Sequence, residues 1–152
     1  PAVLEALPDI ELHIVGSNMP DNLRRLESRS IKVEGFLSDE KLDALYRRIR
    51  MSVVPLRFGA GVKGKVLEAM QKGIPVATTS IGAEGIPNAG ESLMVEDASQ
   101  DLANCIVESY SDLEKLARQS VAGLDTIGKH FSREAVLKVI AEDFRKPEAR
   151  HN

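Results

Sequence analysis

The chain has 152 residues, 43% of them hydrophobic and 28% charged, which is typical of one globular domain with a substantial core. Its formal net charge of −3 argues against a nucleic-acid partner held by bulk positive charge. One cysteine, Cys105, can form no internal disulfide, so a reducing, cytoplasmic setting is expected, and its apolar neighbours indicate a small buried side chain.

Short strands and helices are predicted to alternate along the chain. Pro1–Pro8 is typical of the end of a helix, and five short apolar runs then predict buried strands: Leu12–Gly16, Ile31–Gly35, Met51–Pro55, Pro75–Thr78 and Leu93–Val95. Helices are predicted within Asp21–Ser28, from Ser38, over Lys65–Lys72, from Asp97 or Ser99 to about Tyr110, from Asp112 towards Gly128, and from Ser132. The helix from Ser38 has an apolar face of Leu42, Leu45, Tyr46 and Ile49. The helix from Ser132 has Val136, Val139, Ile140 and Phe144 on one side.

The glycines and proline of Ile81–Gly90 predict a loop. Strands that lack clean alternation and are separated by helices predict an α/β fold with a parallel sheet covered on both faces. In such a sheet ligands bind beyond the carboxyl ends of the strands, where Gly16, Gly35, Pro55–Lys65 and Ser80–Gly85 are expected. One domain is predicted over residues 1–146, followed by a frayed tail at 147–152.

The segment Pro55–Met70 places three glycines and two lysines ahead of a helix, a composition that lets the backbone and a helix N-terminus approach an anion. Gly59–Gly64 matches the dinucleotide fingerprint, but Pro55–Phe58 intervene where the first glycine should follow the strand directly, and Glu84, at the distance of the expected acid, falls in a loop. A Walker A loop would need Ser or Thr at Val66. A purely structural turn would explain the glycines but not the charges around them.

From Arg57 to Thr79 the chain resembles the donor-binding half of the group 1, family 4 glycosyltransferases. Its most specific part is Leu67–Val76, a helix that ends at Gly73 and leads into a strand at Pro75. Further matching segments extend the resemblance from about Leu4 to Phe144: His13–Gly16, Val33–Phe36, Leu45–Tyr46, Ser92–Val95 and His130–Ser132. The resemblance implies a Rossmann-like three-layer α/β/α sandwich, the C-terminal half of a GT-B fold.

The resemblance implies a nucleotide-diphosphate sugar as the ligand of the glycine-rich loop. Glu68 would hold the ribose hydroxyls, since an ionised carboxylate can accept hydrogen bonds from both members of a diol. The backbone amides of Gly61, Val62 and Lys63 would meet the diphosphate, together with the lysine charge. Arg57 would add a second phosphate contact.

Other residues are implied to border the nucleotide and its base. These are Gly16, Phe36 and Leu37, of which Phe36 is equally compatible with a core position. The family motif would place a first glutamate, which contacts the donor sugar, at residue 60, and that residue is Ala60. No catalytic residue is assigned, and no cofactor or metal site is expected.

The resemblance also implies what the whole protein does. It would transfer a sugar from the nucleotide donor to an acceptor hydroxyl with retention of configuration, in glycan biosynthesis. An acceptor-binding domain and the first strand of this domain would precede Pro1, so the chain is expected to be a fragment that is inactive alone. That missing domain would mediate any peripheral association with a membrane. The alternative, which Ala60 favours, is a non-catalytic nucleotide-binding or interaction module on the same fold.

Overall fold

Residues 1–145 are described by a computed structural model, and the tail predicted at 147–152 lies outside them. Helices and strands have the following bounds: α1 Ala2–Ala6, β1 Leu12–Val15, α2 Asp21–Arg24, β2 Ile31–Gly35, α3 Asp39–Tyr46, β3 Ser52–Val54, α4 Gly64–Gln71, β4 Val76–Thr78, α5 Ser80–Ala83, α6 Ala89–Ser92, β5 Met94–Val95, α7 Ser99–Tyr110, α8 Leu113–Thr126 and α9 Arg133–Arg145. A π-helical turn, Ile127–Phe131, joins α8 to α9.

The strands are all parallel, as predicted, but within residues 1–145 they form two sheets instead of one. β1 pairs with β2, and β3, β4 and β5 pair in that order. Only β4 therefore has strand neighbours on both sides in the described chain. The outer edges of β1 and β3 pair with no described strand, and none of the side chains of β1 and β2 is fully buried. This pattern is unusual, since strands of parallel sheets are normally covered on both faces.

Helices cover both faces of the three-stranded sheet. One face packs under α4, whose Val66, Ala69 and Met70 are completely or almost completely buried. The other packs under α7 and α8, where Leu102, Ile106 and Leu116 meet Ala77 and Met94. These layers confirm the Rossmann-like α/β prediction.

The helices that flank β1 and β2 in sequence pack against the rest of the fold. Val3 of α1 packs against the apolar cluster beneath α7. Tyr46 of α3 packs against the cluster beneath α4, and Lys72 Nζ lies 2.5 Å from Asp43 Oδ1. The hydrogen bond from Lys72 lowers the pKa of the Asp43 carboxyl. α1 and α3 therefore connect this part of the chain to the two apolar clusters of the three-stranded sheet.

The end of α4 has the geometry that its sequence predicts. Gly73 adopts a left-handed conformation with φ 71°, which glycine reaches without a steric cost. The Gly73 amide donates to the Met70 carbonyl and the Ile74 amide to the Ala69 carbonyl, the two bonds of a Schellman motif. The chain then turns directly into β4. The helix-strand unit Leu67–Val76 is thus fixed by backbone hydrogen bonds.

Several local predictions were wrong. Ile81–Gly90 is not simply a loop, because α5 enters it from Ser80 and α6 begins at Ala89. Neither Asp97 nor Ser99 caps α7, whose N-cap is Ala98. The predictions that Asp112 and Ser132 begin helices are confirmed, since Asp112 Oδ1 accepts from the Lys115 amide and Ser132 Oγ from the Ala135 amide. Within residues 1–145, no helix combines the length and the apolar character needed to cross a membrane.

Candidate functional site

The loop that follows β3 is held against the end of β4 by two threonine hydroxyls. Thr78 Oγ1 donates to the Val54 carbonyl at 2.7 Å, and Thr79 Oγ1 donates to the Leu56 carbonyl at 2.6 Å. Both threonines are buried, so these hydrogen bonds are protected from competition by water. The glycine-rich segment therefore leaves the sheet from a fixed point, at the carboxyl edge where ligands bind in open α/β sheets.

The glycines of this loop allow the backbone to turn sharply before α4. Gly59 and Gly61 have φ values of 125° and 71°, and an added Cβ at Gly61 would meet no atom within 4 Å, so its backbone is open to a ligand. Lys63 is the N-cap of α4 without a side-chain capping bond, and the amides of Gly64 and Lys65 have no acceptor among residues 1–145. The positive end of α4 is therefore free to bind an anion.

Lys63 is the most buried cation of the loop. Its side chain is only 11% exposed, and its Nζ lies 3.0 Å from Oε2 of Glu84 and within hydrogen-bond distance of the Gly61 carbonyl. Arg57 and the aromatic ring of Phe58 are exposed in the same loop. Lys63 thus lies beside the free helix end, with its ammonium positioned by two acceptors.

Glu68 is half-buried on α4, one turn beyond the loop. Burial raises the pKa of the Tyr46 phenol above its usual value, and the nearby charges of Glu68 and Asp43 raise it further. Glu68 therefore lies near enough to Tyr46 of α3 for its charge to act on the phenol. Its partly buried position agrees with a carboxylate that binds a ligand more than with a fully solvated helix residue.

The ends of β1 and β2 form the second part of the predicted site. The Gly16 amide donates to the Gly35 carbonyl at 2.9 Å, which brings the two strand ends together. Phe36, the next residue, is 77% exposed, so its side chain is not part of the core, and Leu37 is half-buried. Because β1 and β2 are parallel, their carboxyl ends lie at the same edge of the two-stranded sheet.

The structure brings some of the predicted residues into contact and leaves others apart. Gly61 and Lys63 lie together, and Val62 packs against Gly85 of the neighbouring loop. Within residues 1–145 no hydrogen bond or ion pair joins this group to the ends of β1 and β2. Sequence reasoning did not find Glu84 as the partner of Lys63, because the two residues lie on different loops.

The described residues contain no group of three or more His, Cys, Asp or Glu side chains that could hold a metal ion. His13, on β1, donates or accepts a hydrogen bond with Glu34 on β2, its Nδ1 lying 2.9 Å from Glu34 Oε1. This contact joins the side chains of two neighbouring strands. Lys63, Arg57 and the α4 N-terminus supply positive charge in the glycine-rich segment.

Comparison with known families decides the class of the chain. The model of the family described as "Glycosyl transferases group 1" matches residues 1–112, well over half of the sequence. The chain belongs to the group 1 glycosyl transferases. The match covers α1 to α7, and so includes the whole glycine-rich loop and both strand ends described above.

Individual relatives of this group 1 chain agree with its fold. An "Uncharacterized 44.6 kDa protein in cps region" of Klebsiella pneumoniae is 28% identical over 151 residues, 94% of this chain and 39% of that protein. HepE (Alr3699) of Anabaena, solved in complex with UDP-glucose, is 20% identical with a TM-score of 0.75, over 94% of this chain and 44% of that one. The C-terminal domain of the group 1 protein LpcC from Francisella tularensis has a TM-score of 0.68 at 20% identity, covering 86% of this chain and 74% of that one. The chain thus spans less than half of the first two relatives.

Proposed function

We propose that the chain is the donor-binding domain of an enzyme that transfers a sugar from a nucleotide-diphosphate sugar to an acceptor hydroxyl with retention of configuration. Membership of the group 1 glycosyl transferases supports the reaction class, and the UDP-glucose complex of HepE supports the class of donor. The observation that carries the proposal is Lys63, a largely buried lysine held at the unpaired N-terminus of α4.

The donor would lie along the edge formed by the strand ends and the α4 N-terminus. Lys63, Arg57 and the backbone amides of Gly61 and Val62 would bind the diphosphate, and Glu68 the ribose hydroxyls. The base would lie towards the ends of β1 and β2, bordered by the following residues: Gly16, Phe36 and Leu37.

The chemistry follows from the charge that develops when the sugar leaves. The bond between the anomeric carbon and the diphosphate oxygen breaks with its electron pair on the diphosphate, while the acceptor oxygen bonds to the anomeric carbon and its proton is released. Lys63, Arg57 and the α4 N-terminus stabilise the growing negative charge on the leaving group. We propose that these cationic groups serve without a cofactor or a resident metal ion.

The rest of the enzyme would bind the acceptor. An N-terminal acceptor-binding domain would face this edge of the sheet, and the chain alone would bind donor without transferring the sugar. The coverage of the relatives supports a longer protein, since the chain spans 39% of the Klebsiella protein and 44% of HepE. A role in glycan biosynthesis at the cytoplasmic side, with peripheral membrane contact through the N-terminal domain, is part of this proposal.

A second candidate is a nucleotide-binding module without catalytic activity. The observation that favours it is the lack of any acidic residue from Arg57 to Lys63, where Ala60 stands at the position of the expected glutamate. The two candidates differ in turnover by the full-length protein, since both bind the nucleotide and only the transferase consumes sugar nucleotide in the presence of acceptors.

Calorimetry on the full-length protein with UDP and GDP tests the binding site. The substitution Lys63→Ala should weaken binding of the preferred nucleoside diphosphate by about tenfold to a hundredfold, since hydrogen bonds to charged groups contribute roughly 1.5–3 kcal/mol. Lys129→Ala is the matched control, because Lys129 is an exposed lysine whose ion-pair partner, Asp125, lies four residues before it on α8 and outside the glycine-rich loop.

The proposal would be contradicted if the unaltered full-length protein bound neither nucleotide. It would also be contradicted if Lys63→Ala left the affinity unchanged, or if Lys129→Ala weakened binding as much as Lys63→Ala. A thermal melt of each variant separates a lost ligand contact from a lost fold, because Lys63→Ala should keep a cooperative transition.

A further inference from the structure

Glu84 occupies an unusual position for an exposed carboxylate. Its side chain is 51% exposed, yet Gly82 and Ala83 before it and Ile86, two residues after it, are buried. The Glu84 amide donates to the Ile81 carbonyl and the Ile86 amide to the Ala83 carbonyl. The backbone is therefore anchored in the core while the carboxylate faces solvent at the carboxyl edge of β4.

The loop that carries Glu84 lies directly against the glycine-rich loop. Gly85 has a φ of 76°, and a Cβ at this position would lie 2.7 Å from Val62 Cγ2, closer than real contacts allow. Only glycine permits the two loops to approach this far. The distance between Glu84 and Lys63 is thus set by backbone packing as well as by their ion pair.

Lys63 has the capacity to bind a phosphate without leaving Glu84. A lysine ammonium has three donors, of which two are directed to the Gly61 carbonyl and to Glu84. The third remains for a phosphate oxygen, and the ammonium then separates two negative groups that would otherwise repel each other. Glu84 would consequently remain next to the diphosphate after the donor binds.

The three charged groups come from different elements. Glu68 lies on α4 near Tyr46 of α3, where the ribose is proposed to bind, Lys63 lies at the proposed diphosphate position, and Glu84 contacts Lys63 from the loop that follows α5. The sugar is joined to the end of the diphosphate remote from the ribose, so a diphosphate that runs past Lys63 towards this loop would bring the sugar hydroxyls to Glu84. The segment Arg57–Lys63 has no acid, and Glu84 is the carboxylate that lies 3.0 Å from Lys63 Nζ.

We propose that Glu84 binds hydroxyl groups of the donor sugar and helps to determine which sugar is accepted. The proposal rests on the proposed function, since it requires the diphosphate to lie on Lys63. A carboxylate accepts hydrogen bonds from two neighbouring hydroxyls, and a rigid backbone lowers the entropy lost on binding.

The test compares two ligands that differ only in the sugar. Calorimetry on the full-length protein measures two affinities. One is for a nucleoside diphosphate, and the other is for the tightest-binding member of a panel of nucleotide sugars with the same base. Glu84→Gln should weaken binding of the sugar nucleotide about tenfold or more, and should leave the nucleoside diphosphate unchanged or bound slightly more tightly. Glu91→Gln is the control, since Glu91 is an exposed acid on α6, just before β5 begins at the opposite edge.

Each other outcome has a definite meaning. Equal losses for both ligands would show that Glu84 only positions Lys63, and would overturn the sugar contact. The sugar contact would also be overturned if Glu84→Gln changed the affinity for neither ligand. The same holds if no nucleotide sugar of the panel bound more tightly than the bare nucleoside diphosphate. If the unaltered protein bound no nucleotide at all, the proposed function itself would fail, and this result is distinct from the others.

Discussion

Tyr46 connects the chemistry of the proposed site to a residue that can be observed directly. Its ring packs against the apolar cluster beneath α4, and Glu68 lies near enough to influence its ionisation. Burial disfavours the phenolate, and the negative charges of Glu68 and Asp43 disfavour it further. The folded state therefore prefers the protonated phenol, so this contribution to stability is present below the ordinary tyrosine pKa of about 10 and is lost as the pH rises through the folded-state pKa.

We predict that Glu68→Gln lowers the pKa of Tyr46 without restoring its ordinary value, because burial, the largest cause, remains. The chain has two tyrosines, so Tyr110→Phe leaves Tyr46 as the one phenol whose absorbance changes in an alkaline titration. Glu40→Gln, an exposed acid on α3, should leave the titration where it is. If the pKa of Tyr46 were the same with and without the Glu68 carboxylate, Glu68 would lie too far from Tyr46 for its charge to act on the phenol.

Individual residues of the site could be predicted from the sequence only where the evidence is local. The glycines, Lys63 and Glu68 belong to one continuous loop and helix, so their nearness follows from their order along the chain. Glu84 was considered only as a ribose-binding acid of a dinucleotide fold, because its distance from the glycines along the chain suited that motif. Its contact with Lys63 depends on how two loops pack, and no local pattern contains that information.

At the scale of elements, α5 shows why glycine content alone predicted the segment after β4 poorly. Gly82 is buried against the carboxyl end of the sheet, and a Cβ there would overlap Thr78 Oγ1 and lie 3.3 Å from the Val54 carbonyl. The Thr79 hydroxyl also accepts a hydrogen bond from the Gly82 amide, which begins the helix. Gly82 thus permits a close helix-to-sheet approach, whereas a loop prediction treats every glycine as a source of flexibility.

Gly82→Ala should destabilise the fold by about 2–4 kcal/mol, the sum of overpacking and loss of the Thr78 hydrogen bond to the Val54 carbonyl. Gly90→Ala is the matched control on α6, where an added Cβ meets nothing within 4 Å and helix propensity predicts a gain of up to about 1 kcal/mol. Urea unfolding of both variants measures the difference. Equal stability of the two would contradict the close approach at Gly82.

Helix and strand bounds were otherwise predicted well where stop and start residues are adjacent. Gly73 and Pro75 separate α4 from β4 at the predicted place, and Asp112 and Ser132 begin α8 and α9. The start of α7 was missed because two candidate caps, Asp97 and Ser99, flank the true N-cap. Asp97 instead accepts a hydrogen bond from the Ser80 amide, a tertiary contact that stabilises α5 and cannot be read from propensity.

At the scale of the whole molecule, the sequence predicted the parallel strands but not the break between β1 and β3. Apolar runs and their spacing determine which segments are strands, whereas pairing also depends on which strands are available as neighbours. α1 and α3, which precede β1 and follow β2, pack against the two apolar clusters of the three-stranded sheet. β1 and β3 each have one edge that pairs with no described strand. A single further parallel strand between these two edges would join the two sheets into one.

Under the proposed architecture, the polypeptide that precedes residue 1 would supply that strand. We predict that the full-length protein protects the amides of β1 and β3 from hydrogen exchange at least about tenfold more than the 152-residue chain does, because each tenfold of protection corresponds to roughly 1.4 kcal/mol of opening free energy. β4 is the internal reference, since both of its edges are already paired and its side chains are buried. If protection rose equally in β1, β3 and β4, the added sequence would stabilise the fold generally. Protection that did not rise in β1 and β3 would show that their edges remain unpaired, so the two sheets would be a feature of the complete protein.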